Sequence, residues 1–241
     1  QILSYFSGRF LRRGAVVEVQ INRRKVKAVV VGGSDVKRLK LIYKKTASFS
    51  LKNIVKVINS EPQVAEWQFK IADFLANYYY APLGLCLKTV LPPFWGLKKY
   101  RIMNNESEVT NGRTKTDNKA RAITDSFSDF RIFQDEITKQ VRADKQVFLM
   151  APDKTTAGYL IERFAEFQPA FISSDLTNKQ YYKLWQEVDQ GQLKLIIGTR
   201  SGLFLPFHNL GLLIVEDEPN EAYKSDMTPR YHASDLAKKI S

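Results

Sequence analysis

The chain has one cysteine, two histidines and no apolar run near the ~18 residues that a membrane-spanning helix needs. Each shortage removes a class of function. A single thiol, Cys86, can neither close an internal disulfide nor complete a zinc cluster, which fits a reducing compartment and predicts no metal site. Cys86 lies in the apolar run Leu83 to Leu87 and reads as a small buried hydrophobe. His208 sits in a loop without partner acids or thiols, so a nucleophilic triad is unsupported. The opening segment, Gln1 to Arg13, lacks the apolar stretch of a signal peptide and does not begin with Met. A cytoplasmic piece of a longer protein is the expectation.

Positive charge is plentiful. Thirty-seven Lys and Arg face 25 Asp and Glu, a net charge of +12. Each phosphate that such a surface neutralises releases counterions, so the excess points to a polyanionic partner.

Two regions of different pattern follow. Val17, Val19 and Ile21, then Val26, Ala28 and Val30, alternate with polar residues around Asn22-Arg23-Arg24-Lys25. This predicts a β-hairpin with a basic tip, ended by Gly32 to Asp35, with another short strand at Ile54 to Ile58. A helix is expected to start at Ser60, with Gln63 closing a capping box. Its inward face would hold Val64, Trp67, Ile71, Leu75 and Tyr78, and Ala81-Pro82 would stop it. Residues 101–125 are polar and poor in apolar anchors, as in a linker. Beyond them, apolar strands at Val147 to Met150, Ala170 to Ser173, Leu193 to Ile197 and Leu210 to Val215 alternate with helical stretches. That alternation predicts a parallel α/β sheet with helices on both faces. Chemistry in such sheets collects at the C-terminal strand ends, here Ala151 to Lys154, Gly198 to Ser201 and Glu216 to Pro219.

The segment Gly198-Thr199-Arg200-Ser201-Gly202-Leu203-Phe204-Leu205-Pro206-Phe207 is the most specific. Asn209 to Val215 follow, then an acidic cluster, Ala222-Tyr223-Lys224, and Pro229 to Ala237. In this order the residues resemble the first helicase lobe of the PriA family, superfamily 2 DNA helicases of replication restart. That family reads G-T-R-S-A-L-F-x-P-F-x-N-L-G, D-E-E-H, Y-K-Q and R-Y-H-A-R-D-L-A. Lys145-Gln146-Val147 with Ala151-Pro152-Asp153, and Ser173 to Leu176, are also similar to family segments. Leu3-Ser4-Tyr5, the hairpin and Tyr78 to Gly84 resemble the family's 3′ DNA-binding domain. The resemblance therefore implies a small β-rich 3′ DNA-binding domain over 1–100, a linker over 101–125, and a RecA-like helicase lobe over 126–241.

The departures carry as much weight. The family's P-loop, ending G-S-G-K-T, falls on Ser126 to Phe130. Ser128, Asp129 and Phe130 lack the glycines that let amides cradle phosphate, the lysine, and the hydroxyl for Mg²⁺. Asp129 would repel nucleotide. Where the family has D-E-E-H, this chain has Glu216-Asp217-Glu218-Pro219, which shifts both carboxylates by about a bond and removes the histidine. The resemblance implies ATP and Mg²⁺; the departures predict that neither is held and that no residue is catalytic. Ser4 also replaces an Asp that is frequent in the family before Tyr5, in a pocket that takes a 3′ DNA end.

The reading is a bacterial, nucleoid-associated protein that binds forked or single-stranded DNA in replication restart without hydrolysing ATP. Arg23, Arg24, Lys25 and Lys27 are candidate phosphate contacts, and Lys37 to Lys45 add a second basic run. Tyr79 and Tyr80 are candidate base-stacking residues, and Tyr5 lines the end pocket. By resemblance, Thr199 and Arg200 touch a single-strand backbone. The alternatives are an ATP-dependent 3′–5′ helicase fragment with divergent motifs, and a scaffold that recruits primosome or single-strand-binding proteins.

Overall fold

A computed structural model of the chain describes residues 3–34, 51–95, 121–125 and 130–241. The N-terminal region holds five short strands: β1 (Tyr5–Phe6), β2 (Val16–Ile21), β3 (Arg24–Val29), β4 (Lys52–Asn53) and β5 (Lys56–Asn59). β2 and β3 form the expected antiparallel hairpin, with Ile21 opposite Arg24. Its turn is only Asn22-Arg23, and Asn22 takes the left-handed conformation (φ 53°) that asparagine tolerates. β5 pairs with the free edge of β2, and β1 pairs with β4. The apolar face of the hairpin packs Val17 and Val19 against Leu11.

The first helix starts later than the capping box predicts. α1 spans Glu66–Tyr78, with Ala65 at its N-cap and the Gln68 side chain accepting the Ala65 N–H at 2.9 Å. Residues 59–63 stay outside the helix because the hairpin claims them. Asn59 faces Val16, and the Gln63 N–H donates to the Gly14 carbonyl at 2.8 Å. Gly14 has φ 89°, and a Cβ there would stand 2.7 Å from the Val64 carbonyl oxygen. Only glycine fits this close approach. A second helix, α2 (Leu83–Val90), occupies what reads in sequence as an apolar run, and it buries Cys86 completely.

The second region is a five-stranded sheet, parallel throughout, in the order β6-β10-β7-β9-β8. Its strands are β6 (Arg121–Asp125), β7 (Gln146–Met150), β8 (Ala170–Ile172), β9 (Leu195–Gly198) and β10 (Leu210–Glu216). The helices are α3 (Phe130–Arg142), α4 (Lys154–Arg163), α5 (Asn178–Asp189) and α6 (Ala233–Ile240). Thr177 caps α5 as expected. β6 corrects the linker boundary: Arg121–Asp125 pairs with β10 from Leu212 to Glu216. It is an edge strand, so the long apolar run that marks a central parallel strand is missing. Among the described residues no helix is long and apolar enough to cross a membrane.

Alternate residues of β7 feed two cores. Val147 and Leu149 join Phe133, Ile137 and Leu160 on one face. Phe148 and Met150 face the other way, into a cluster that also holds Trp67, Leu75 and Phe94 of the N-terminal region. Trp67 stacks 6.5 Å from Trp185 of α5, and Phe94 meets Tyr182 and Trp185 edge-on at 5.0 and 5.8 Å. The two regions therefore share one core.

Gln146 explains its place in the Lys145-Gln146-Val147 segment. Its buried side chain donates to the Val188 and Leu193 carbonyls (3.0 and 2.9 Å) and accepts the His208 and Asn209 amides (2.7 and 3.1 Å). Gln146→Leu keeps the volume but leaves four backbone groups without this partner. A loss of about 3 kcal/mol or more is expected in equilibrium urea denaturation. A loss under about 1 kcal/mol would mean that water replaces the amide.

Candidate nucleic-acid interface

Charge is divided unevenly between the regions. Residues 1–95 carry sixteen Lys and Arg against five Asp and Glu, whereas residues 121–241 carry fifteen against seventeen. A polyanion is therefore drawn to the N-terminal region. Arg23, Arg24, Lys25 and Lys27 are all exposed on its hairpin. By register, Lys25 and Lys27 share a face with Glu18 and Lys56, opposite the Val17, Val19 and Val26 core. The run Lys37 to Lys45 lies outside the described residues.

On the core side of the hairpin a groove of about 1380 Å³ opens between the N-terminal segment and α2. Phe6, Phe10, Val26 and Leu87 give it apolar walls, and Arg9 and Lys88 add positive charge. Ser4 and Tyr5 also line it. The Tyr5 hydroxyl donates to the Gln20 carbonyl at 2.9 Å and its ring packs against the hairpin core, so Tyr5 shapes the wall.

The three tyrosines that end α1 separate. Tyr79 points inward: its hydroxyl donates to Asp235 Oδ2 at 2.7 Å and accepts the His232 backbone N–H at 3.0 Å. Burial, then the Asp235 hydrogen bond, pushes its phenol pKa up. Tyr79 thus joins the two regions through its hydroxyl. Tyr78, expected in the core, is 57% exposed and stacks on Phe74. The inward stripe Trp67, Ile71 and Leu75 advances by four, so its next member is Tyr79. Tyr80 is 96% exposed.

In the second region Thr199 precedes a short 3-10 turn, Arg200–Phe204, and accepts the Gly202 N–H. Gly198 before it packs so closely that a Cβ would lie 2.6 Å from the Ile172 carbonyl oxygen. Arg200 Nη1 donates to the Ala222 and Lys224 carbonyls at 2.7 and 2.8 Å. This guanidinium nitrogen braces a loop instead of facing a phosphate.

The acidic segment is similarly engaged. Glu216 is buried at the end of β10, next to the Tyr223 hydroxyl, which contacts the Glu216 and Met150 carbonyls. Burial and the charges of Glu216, Asp217 and Asp153 raise the Tyr223 phenol pKa. Asp217 has φ 49° and accepts Asn220 Nδ2 at 2.8 Å. Glu218 pairs with Lys238 at 2.6 Å. Ser128 and Asp129 lie outside the described residues, and Phe130 opens α3. Asp125, the last residue of β6, is the register partner of Glu216. Among the described residues no group of three or more His, Cys, Asp or Glu is arranged to hold a metal. Asp235 as the partner of Tyr79 had no signal in the sequence, being 156 residues away.

Comparison with known proteins bears on both regions. Residues 3–92 match a family described as the 3′ DNA-binding domain (3′BD). Among curated relatives, Replication restart protein PriA of Rickettsia prowazekii is 29% identical over 192 residues, covering 70% of this chain and 29% of the relative. PriA of Helicobacter pylori is 26% identical over 254 aligned residues, covering 99% and 38%. PriA of Bacillus subtilis is 32% identical over 109, covering 44% and 14%. The chain thus spans between 14% and 38% of the length of these relatives.

Tyr79→Phe removes the hydrogen bond to a carboxylate that links the regions. A stability loss of about 1–2 kcal/mol is expected, read as a lower urea midpoint at unchanged m.

Proposed function

The chain belongs to the PriA family of replication restart proteins, and on that premise we propose that it binds branched or single-stranded DNA through its N-terminal region. In this reading residues 1–100 are the DNA-binding module. Residues from β6 to Ser241 are a RecA-like lobe that supports the module and does not hydrolyse ATP.

The observation that carries the proposal is the concentration of positive charge on the module, with four exposed cations at one hairpin and a partly apolar groove beside it. Phosphates would lie along Arg23, Arg24, Lys25 and Lys27. The groove by Ser4 and Tyr5 would take a strand end. Thr199 and Arg200 would shape the loop at the sheet end and contribute to phosphate contact only through the remaining guanidinium nitrogens. Loss of hydrolysis is supported by the residue types in the slot, Ser128-Asp129-Phe130, and by the internal partners of Asp217 and Glu218. Any DNA-processing activity of the longer relatives is not carried over by this reading.

A second reading, nucleotide binding at a divergent site, is favoured by one feature. Asp125 at the end of β6 is the register partner of Glu216, so the end of β6 and the acidic segment share one end of the sheet, where phosphoryl transfer needs its carboxylates.

Two measurements separate the outcomes. In fluorescence anisotropy across a salt series, a fork or single strand should bind with a steep negative slope of log K against log salt. Substituting Arg23, Arg24 and Lys25 together with Ala should reduce the slope by about 2–3, since each phosphate contact contributes ~0.7–0.9. Equal slopes would exclude the hairpin from the interface. Millimolar Mg²⁺-ATP should leave the melting temperature unchanged; a rise of several degrees would favour the second reading.

A further inference from the structure

Tyr80 ends α1 in a conformation that disfavours it and covers nothing. Tyr79 is the helix C-cap, Tyr80 follows at φ 50°, and the Ala81 N–H donates back to the Ala76 carbonyl at 3.1 Å. This is a Schellman ending, in which the left-handed position is normally glycine because a Cβ there crowds the backbone. A tyrosine ring at such a place would usually offset the cost by packing. This one is 96% exposed.

Its surroundings extend the apolar surface. Tyr78 is 57% exposed, lies 5.2 Å from Phe74 at an interplanar angle of 25°, and meets the Tyr79 ring edge-on at 4.9 Å. Two exposed lysines of the second region flank these rings. Lys239 Nζ lies 5.8 Å from the Phe74 centroid and Lys224 Nζ 5.9 Å from the Tyr79 centroid. The nearby acids are engaged elsewhere, Asp235 by Tyr79 and Glu218 by Lys238. What remains outward is aromatic faces with cations beside them.

We propose that Tyr80 and Tyr78 form a stacking platform for the bases of single-stranded DNA, with Lys224 and Lys239 taking the adjoining phosphates. The proposal rests on the reading of the chain as a DNA-binding protein and adds a second contact, on residues separate from the hairpin. Single strands fit because their bases offer free faces, which a duplex hides by stacking them on each other. The positive charge of the module and the flanking lysines favour a nucleic acid over an acidic-poor apolar peptide.

Tyr80→Gly tests this with effects of opposite sign. Glycine relieves the backbone, so the melting temperature of the whole chain should rise. The affinity for a fifteen-nucleotide oligo-dT should fall by roughly 5-fold or more, the low end for one stacked base. An abasic strand of the same length should bind wild type and variant alike, and Lys224→Ala with Lys239→Ala should weaken both strands. Unchanged oligo-dT affinity in the Tyr80→Gly variant, an equal loss on the abasic strand, or a lower melting temperature would overturn the platform. If wild type binds oligo-dT but ignores Tyr80, only this inference fails. If wild type binds neither single strand nor fork, the DNA-binding reading fails with it.

Discussion

The burial of Trp67 and Phe94 against Trp185 is the contact on which the arrangement depends. Among the described residues, the β region's own buried cluster holds Leu11, Val17 and Val19. α1 and α2 pack on each other beside it, and Val29 and Val31 at the end of the hairpin meet their apolar cluster. It continues into the core that holds Phe148, Met150 and Val215 of the parallel sheet. Each aromatic brings a large area to this junction, on the order of 150–250 Å². A strongly basic region is thereby fixed to a nearly neutral body instead of hanging from a linker.

Directional polar contacts at this junction give it a defined geometry. Arg13 spans Glu66 and Asp73 at 3.1 and 2.9 Å and lies over the Phe69 ring, tying the base of the hairpin to α1. Tyr79 ties the end of the same helix to Asp235 and His232. His232 bridges Lys224, whose carbonyl accepts from Arg200. A continuous set of contacts therefore runs from the basic module to the loops at the C-terminal end of the sheet. An apolar interface alone would permit sliding; these directional bonds fix its register.

What could be read from sequence was what has a short period. The hairpin alternates every second residue and its turn is Asn22-Arg23, so its strands and basic tip were visible. The central strands β7, β9 and β10 are continuous apolar runs and were also visible. β6 was not, because an edge strand needs pairing on one side only and Arg121–Asp125 has few apolar residues to announce it. The Ser60 capping box was a correct motif in the wrong place: Gly14 and Asn59 hold that segment out of the helix through contacts some fifty residues apart in sequence or across a strand. The tyrosines show the same limit. Their presence was plain, but which one faces inward depended on whether the inward stripe steps by three or four after Leu75. Asp235, the partner that decides it, lies on another helix.

The placement of these bonds also separates the junction from the acidic segment. Arg13 bonds to Glu66 and Asp73 and Tyr79 to Asp235, whereas Asp217 accepts from Asn220 and Glu218 pairs with Lys238. Those carboxylates have acquired structural partners in Asn220 and Lys238, within the loop and on α6. A carboxylate held by a lysine or an amide keeps its loop in shape without a metal ion. A substitution in the acidic segment is therefore expected to leave the aromatic junction, and with it the position of the hairpin, in place. The reverse does not hold: a change at Trp67 or Phe94 would disturb the core shared by both regions.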